Sequence, residues 1–87
     1  MNAAAVEWAL AQNVRTPGHK LVLVALAMRY KPDEAILLTK HVLDRIARIA
    51  AVPRGGVRHR IEQLQADGFL RQCADHMRVY LHAGRAI

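Results

Sequence analysis

Two short apolar-periodic segments meet at Ala50-Ala51-Val52-Pro53, and this junction constrains the fold more than any other feature of the chain. Apolar residues recur at helical spacing on both sides of it, at Val42, Ile46, Ile49 and Ala50 before the junction and at Val57, Ile61 and Leu64 after it. Spacings of three and four residues place side chains along one face of a helix. We therefore expect two amphipathic helices, over about 40–50 and about 54–67, joined by a tight turn.

Capping residues support both helices. Thr39 is a good N-cap for the first, and Gly68 stands where a C-cap glycine belongs at the end of the second. Pro53 suits the start of a helix because its φ is fixed, but it supplies no capping oxygen.

The chain before the junction has weaker signals. The predicted elements are a helix over about 3–12 with Asn2 as its cap, a turn at Thr16-Pro17-Gly18, a helix over about 19–30 and a short strand over about 35–38. The packing side of the first helix is predicted to be Val6, Leu10 and Trp8. The second helix is apolar on nearly every side, so we expect it to be buried on more than one face, by the core and by the first helix or a second subunit.

The chain after Gly68 has the pattern of a hairpin. Residues 69–73 and 77–82 are predicted strands around Ala74-Asp75-His76. Apolar residues alternate with polar or aromatic ones in the second strand, in the order Met77, Arg78, Val79, Tyr80, Leu81, His82. This alternation is typical of a half-buried strand.

The order helix, helix, strand, helix, helix, hairpin resembles the winged helix-turn-helix DNA-binding family, with one extra amino-terminal helix. The resemblance covers about residues 5–81. The pattern is most similar to the amino-terminal DNA-binding domain of phage and plasmid replication proteins of the phage O type, at Val6-Glu7-Trp8-Ala9-Leu10, at 17–27 and through the helix-turn-helix. Small standalone regulators of bacteria and phages look similar too. The resemblance implies one mainly α domain over 1–87, with a small β-hairpin as its wing.

Charge and composition limit the partners. Thirteen Lys and Arg residues oppose seven acids, for a net charge of +6, and 53% of the 87 residues are hydrophobic. A small basic domain suits nucleic acid first, an anionic membrane surface second and an acidic protein third. The apolar surplus on so short a chain favours self-association, so we expect a homodimer.

Three features predict a soluble, cytoplasmic protein with no membrane partner. The single cysteine, Cys73, fits a reducing compartment. The amino-terminal residues carry no secretory signal. The longest apolar run, from Leu21 to Met28, is far shorter than the roughly 20 residues that span a bilayer.

The resemblance makes the second helix of the pair, over about 54–67, the recognition helix. With Val57, Ile61 and Leu64 pointing inward, Gly55, His59 and Glu62 lie roughly opposite the core, and Arg58 lies to one side of them. Arg58 and His59 thereby occupy the positions that winged-helix relatives use for base contacts, and Arg is the natural partner of guanine. The alternative for Arg58 is a solvated side chain.

Other residues are expected to contact phosphates. Arg54 and Gly55 begin the recognition helix, where backbone N–H groups can approach a phosphate, although a frayed first turn explains Gly55-Gly56 equally well. Thr39 and Lys40 begin the preceding helix, where a plain cap and a solvated lysine are the alternative. The wing supplies Arg71, His76 and Arg78. Arg45 and Arg48 face away from the apolar stripe and are expected to be solvated, with a contact to the DNA backbone as the alternative.

Three residues depart from the family pattern. Ala51 stands in the turn where relatives usually have Gly, and Pro53 stands where they usually have Ser or Thr as a cap. Arg60 lies at the edge of the buried stripe, where a smaller residue is common, and we expect it to extend outward or pair with an acid.

Metal binding and catalysis have little support. Cys73, His76 and His82 lie close in sequence, but a structural zinc site needs four ligands, so we expect no metal and no cofactor. The sequence contains no phosphate-binding glycine loop with its lysine, no nucleophile elbow and no acidic cluster, so we do not expect an enzyme.

We therefore expect a sequence-specific protein that binds double-stranded DNA, as a small transcriptional regulator or as a replication accessory of phage or plasmid type, with or without a protein partner. The alternative is a winged-helix protein-protein interaction module that does not bind DNA, because a fold does not settle a function.

Overall fold

The computed structural model describes residues 3–31, 34–72 and 78–81. Their elements, in chain order, are α1 (Ala3–Ala11), α2 (Pro17–Ala27), β1 (Ile36–Leu37), α3 (Lys40–Ala50), α4 (Arg54–Ala66), β2 (Leu70–Gln72) and β3 (Arg78–Leu81). The protein is therefore mainly α with a small antiparallel sheet, as predicted. It has the element order of a winged helix-turn-helix in which α3 and α4 form the pair and α1 is the extra helix.

The sheet joins the segment before α3 to the wing. β3 is its central strand, flanked by β1 and β2. Ile36 pairs with Val79 on one side, and Leu70 pairs with Leu81 on the other. Val79 and Leu81 are buried and Arg78 is exposed, so β3 has the predicted alternation. Asn2 and the predicted hairpin tip, Ala74-Asp75-His76, lie outside the described residues.

The core is built around α2, which contacts α1, α3 and α4. Its buried residues include Val22, Leu23 and Leu26, which belong to the same hydrophobic core as Ile46 of α3 and Leu64 of α4. Burial on several faces confirms what the apolar composition of α2 predicts. One strip along α2 and its C-cap residue remains exposed, at Leu21 and Met28, which are seven residues apart and lie on the same side.

The boundaries of α2 differ from the prediction, which placed a turn at Thr16-Pro17-Gly18. Thr16 is instead the N-cap: its Oγ1 accepts the backbone N–H of His19 at 3.2 Å, and Pro17 is the first helical residue. Both residue types favour these positions, because Thr supplies a capping oxygen and Pro has no N–H to leave unpaired. The helix begins two residues earlier than expected and ends at Ala27 rather than at residue 30.

The packing face of α1 was also predicted wrongly in part. Ala5 and Ala9 are fully buried, whereas Leu10 is 58% exposed and Val6 and Trp8 are partly buried. The distance between packed helices depends on the side chains at the contact, so two alanines allow α1 to approach α2 closely. Lys20 of α2 holds the end of α1, where Nζ donates to the carbonyls of Leu10, at 2.6 Å, and of Gln12.

α3 has its predicted bounds, and Thr39 caps it by accepting the Val42 N–H at Oγ1, 3.1 Å away. Its buried residues are Leu43, Ile46 and Ala50. Ile49 was expected on this face but is 43% exposed, because the buried stripe is centred nearer to Leu43.

The turn between α3 and α4 depends on Ala51, which adopts the left-handed conformation at φ 57° and ψ 42°. The Ala51 N–H donates to the Arg48 carbonyl, and the Val52 N–H donates to the Ala47 carbonyl at 3.1 Å. These bonds end α3 with the hydrogen-bond pattern of a helix C-cap, in which the residue with positive φ is usually glycine. The turn therefore keeps the usual geometry, with alanine in a conformation that is unfavourable for it.

Candidate nucleic-acid interface

α4 presents one polar face to solvent. Val57, Ile61 and Leu64 are buried, as their spacing predicts. The exposed residues of the opposite face and its edge are Gly55, Arg58, His59 and Glu62. The predicted orientation of the helix is therefore confirmed, and no other described element covers Arg58 or His59.

The first turn of α4 has no side-chain cap, because Pro53 occupies the N-cap position. Arg54 is exposed and donates from a guanidinium nitrogen to Asp44 Oδ1 of α3 at 3.2 Å. The two side chains are 48% and 46% exposed. An ion pair as exposed as this contributes only about 0–1 kcal/mol, so a phosphate could displace the carboxylate at small cost. Asp44 could not be placed beside Arg54 from the sequence, because their proximity depends on the angle between α3 and α4.

Thr39 and Lys40, which were predicted to contact phosphate at the start of α3, have different environments. Thr39 is partly buried and its hydroxyl oxygen is engaged in the cap, which is the structural alternative considered for it. Lys40 is exposed and has no ion-pair partner among the described residues. A phosphate at this end would meet Lys40 and the first N–H groups of α3.

Further cations follow along the outer face of α3. His41, Arg45 and Arg48 are all exposed, and spacings of four and three residues place them in one line on the helix. The expectation that Arg45 and Arg48 are solvated is confirmed. Neither arginine has an acidic partner within the part of the chain that the structure describes, so both add to the positive potential beside α4.

The wing residues are only partly described. Arg71 in β2 is exposed, and its guanidinium carbon lies 4.8 Å from the centre of the Tyr80 ring, which holds it by a cation–π contact. Arg78 in β3 is exposed as well. His76 lies outside the described residues, so its predicted role is untested.

The far end of α4 is fixed by an ion pair to the loop before α2. Arg15 Nε donates to Asp67 Oδ2 at 2.7 Å, and a second guanidinium nitrogen donates to Oδ1 at 2.9 Å. The hydrogen bonds from Arg15 lower the pKa of the Asp67 carboxyl below its ordinary value. The same bonds raise the pKa of Arg15. Asp67 therefore stays ionised at a lower pH than an ordinary Asp side chain, and Arg15 balances its charge at the end of α4.

The side of α4 that faces α2 carries a buried polar contact. His19 is 6% exposed, with Nδ1 2.6 Å from Thr16 Oγ1 and Nε2 2.5 Å from Gln63 Oε1. A ring with its proton on Nε2 satisfies both contacts, since Nε2–H donates to Gln63 and Nδ1 accepts from the Thr16 hydroxyl. This network orients α4 against α2, and its partners are 44 residues apart in sequence, which is why no local pattern revealed it.

Arg60 lies on the same side and differs from the prediction that it would extend outward or pair with an acid. One terminal guanidinium nitrogen donates to the Gly56 carbonyl at 3.0 Å, and Nε is buried without a hydrogen-bond partner among the described residues. Two glycines leave room for the Arg60 side chain in this position. A Cβ at Gly56 would come within 2.6 Å of that nitrogen, and one at Gly18 within 3.0 Å of Nε.

The described part of the chain has no group of three or more His, Cys, Asp or Glu residues arranged to hold a metal ion. None of the helices described is long and apolar enough to cross a membrane. Comparisons with protein-family models, with curated proteins and with solved structures found no match.

Proposed function

We propose that this protein binds double-stranded DNA and that α4 is its recognition helix. The observation that carries the proposal is the open polar face of α4, where Arg58 and His59 are exposed on a helix whose other side packs against α2 and α3. The major groove of B-DNA is about 12 Å wide and admits an α-helix with its side chains. The net charge of +6 favours a polyanionic partner.

Arg58 is the residue proposed to read sequence, and His59 its neighbour in the groove. Arginine binds O6 and N7 of guanine with two hydrogen bonds, and a good pair of this kind contributes about 1–3 kcal/mol of discrimination. Phosphate contacts come from Arg54, Gly55 and Lys40, together with Thr39, Arg71, Arg78 and His76 as weaker candidates. Such contacts set affinity and register without reading bases.

The proposed role is that of a small cytoplasmic regulator of transcription or a replication accessory of phage or plasmid type. Neither role needs catalysis by this chain, so its effect would come from occupying a site or recruiting another protein.

A homodimer suits either role, because one recognition helix covers few base pairs. The exposed Leu10, Leu21 and Met28 supply apolar surface for self-association, and the mass in solution at micromolar concentration tests it: a monomer with and without DNA rejects the dimer.

The experiment is a selection of bound duplexes from a random pool, followed by affinity measurements with Arg58 variants. We expect a defined motif, and we expect Arg58→Ala to weaken binding to it by about tenfold or more. Arg58→Lys is the matched control, because it keeps the charge but lacks the planar fork. It should retain binding to unrelated duplexes while losing discrimination.

Two results would reject the proposal. One is a failure of the wild-type chain to bind any duplex at low salt. The other is equal affinity of the wild type and Arg58→Ala for the selected motif, with circular dichroism showing that both are folded. A protein partner whose binding hardly responds to salt would indicate the alternative function, an apolar protein interface.

A further inference from the structure

The cations of α4 lie on two sides of the helix. Residues two apart on a helix point about 200° apart, so Arg58 and Arg60 cannot share a side. Arg54 contacts Asp44, which places the Arg54–Arg58 side next to α3. Arg60 lies beside Gly18, which places it next to the start of α2.

Two glycines create the space that holds the Arg60 guanidinium. A side chain at Gly56 would collide with its terminal nitrogen at 2.6 Å, and one at Gly18 would press on Nε at 3.0 Å. Both glycines belong to helices, where Gly is an unfavourable residue. Gly55, by contrast, has nothing among the described residues within 4 Å of an added Cβ.

The interactions of Arg60 in this space are poor for a guanidinium. It has five N–H donors, of which the structure shows one bonded, to the Gly56 carbonyl, while Nε is buried and has no hydrogen-bond partner among the residues that the structure describes. The side chain also lies at the positive, amino-terminal end of α2. Glu62, two residues further along α4, points about 200° away from Arg60, and Asp67 after the end of the helix is engaged by Arg15. No described acid neutralises Arg60.

We infer that Arg60 is a mobile phosphate-binding arm, which leaves the space between Gly18 and Gly56 when the protein binds DNA. This inference rests on the proposed function and adds a residue to it. A helix in the major groove has a phosphate backbone on each side, and Arg54 faces only one of them. Arg60 serves the other. Its departure breaks one hydrogen bond to a carbonyl and frees an Nε–H that has no partner in the described part of the chain.

Gly56→Ala tests the inference, because its methyl group takes the place of the guanidinium nitrogen. The far end of a flexible side chain moves aside easily, and Ala favours the helix more than Gly does. We expect this variant to bind a short random-sequence duplex about threefold more tightly than the wild type. Arg60→Met, which keeps an apolar stem, should weaken binding by about tenfold and reduce the slope of log affinity against log salt by about one.

A double-mutant cycle separates the arm from a general effect on α4. Gly56→Ala should change affinity only when Arg60 is present, and should be silent in the Arg60→Met background. An equal effect in both backgrounds, or an unchanged salt slope in Arg60→Met, overturns the inference. If Arg60→Met is unfolded, Gly56→Ala alone decides: tighter binding supports the arm, and unchanged or weaker binding overturns it.

The proposed function fails separately. No binding of the wild-type chain to any duplex rejects both proposals. Binding that Arg58→Ala weakens and Arg60→Met leaves unchanged keeps the recognition helix and rejects the arm alone.

Discussion

Ala51 and Gly68 occupy equivalent positions after α3 and α4, and they differ in how well they suit them. Both have positive φ, 57° for Ala51 and 89° for Gly68. After α4, the Gly68 N–H donates to the Gln65 carbonyl and the Phe69 N–H to the Leu64 carbonyl, the same pattern as after α3. Glycine adopts this conformation freely, whereas any other L-residue pays about 1–2 kcal/mol.

We predict that Ala51→Gly stabilises the protein. Removing the left-handed strain exceeds the added freedom of the unfolded chain, for a net gain of about 1 kcal/mol in the free energy of unfolding. Urea denaturation measures it. Gly68→Ala is the reciprocal control and should lose about as much, because no described atom lies within 4 Å of the new methyl group and only the backbone is affected. A loss of stability in Ala51→Gly would contradict this account of the turn.

The Arg15–Asp67 pair makes stability depend on pH in the acid range. Its hydrogen bonds lower the pKa of Asp67 in the folded protein relative to the unfolded chain, where Asp titrates near pH 4. The pair therefore stabilises the fold above about pH 4, and this contribution is lost as pH falls through the lower pKa of the folded state. Arg15 stays charged throughout and adds no dependence of its own.

Asp67→Asn isolates that contribution. At neutral pH the variant should be less stable than the wild type by a small amount, since both side chains are in contact with solvent. The difference should shrink as the pH is lowered from 6 to below about 3. Thermal unfolding across this range measures it. A difference that stays constant with pH would show that the ionised pair is not its cause.

The contact between α3 and α4 controls how Arg54 is presented to the proposed DNA partner. Asp44 holds Arg54 and places a negative charge beside the proposed DNA face. We predict that Asp44→Asn tightens DNA binding by about three- to tenfold at low salt, because it releases Arg54 and removes repulsion of a phosphate. The gain should disappear in an Arg54→Ala background, and weaker binding in Asp44→Asn would show that the ion pair helps rather than competes.

Local signals predicted the elements better than their contacts. Thr39, Gly68 and the spacing of Val57, Ile61 and Leu64 fixed α3 and α4, because caps and periodicity act within a few residues. The packing face of α1 was missed, since small alanines carry no periodic signal and docking on α2 decides which side is buried. Thr16-Pro17 held the signal for the start of α2, as a cap followed by a first-turn proline.

In the candidate site, too, local features were predicted and contacts between helices were not. The exposure of Arg58 and His59 followed from the helical wheel alone. Asp44 beside Arg54 and Gly18 beside Arg60 could not be predicted, because each contact joins two helices whose relative placement is a property of the whole core. Arg15 and Asp67 are 52 residues apart, so only the folded chain brings them together.

The residues proposed to bind DNA and those proposed for self-association lie on different elements of the molecule. The exposed cations belong to α3 and α4, which pack against each other, while the exposed apolar side chains Leu21 and Met28 belong to α2 and its C-cap. A basic face for DNA and an apolar strip for a second copy therefore use different parts of the fold, so DNA binding and self-association can be measured independently.

The most direct test is to map backbone amide chemical shifts of the isotope-labelled protein while a duplex containing the selected motif is added. We predict the largest changes at Gly55, Arg58, His59 and Glu62, smaller ones at Lys40 and Arg71, and little change at Leu21 and Met28. All of them should diminish as salt is raised. Changes confined to α1 and α2, or none on α4 at saturating duplex, would contradict the claim that α4 is the DNA-binding helix.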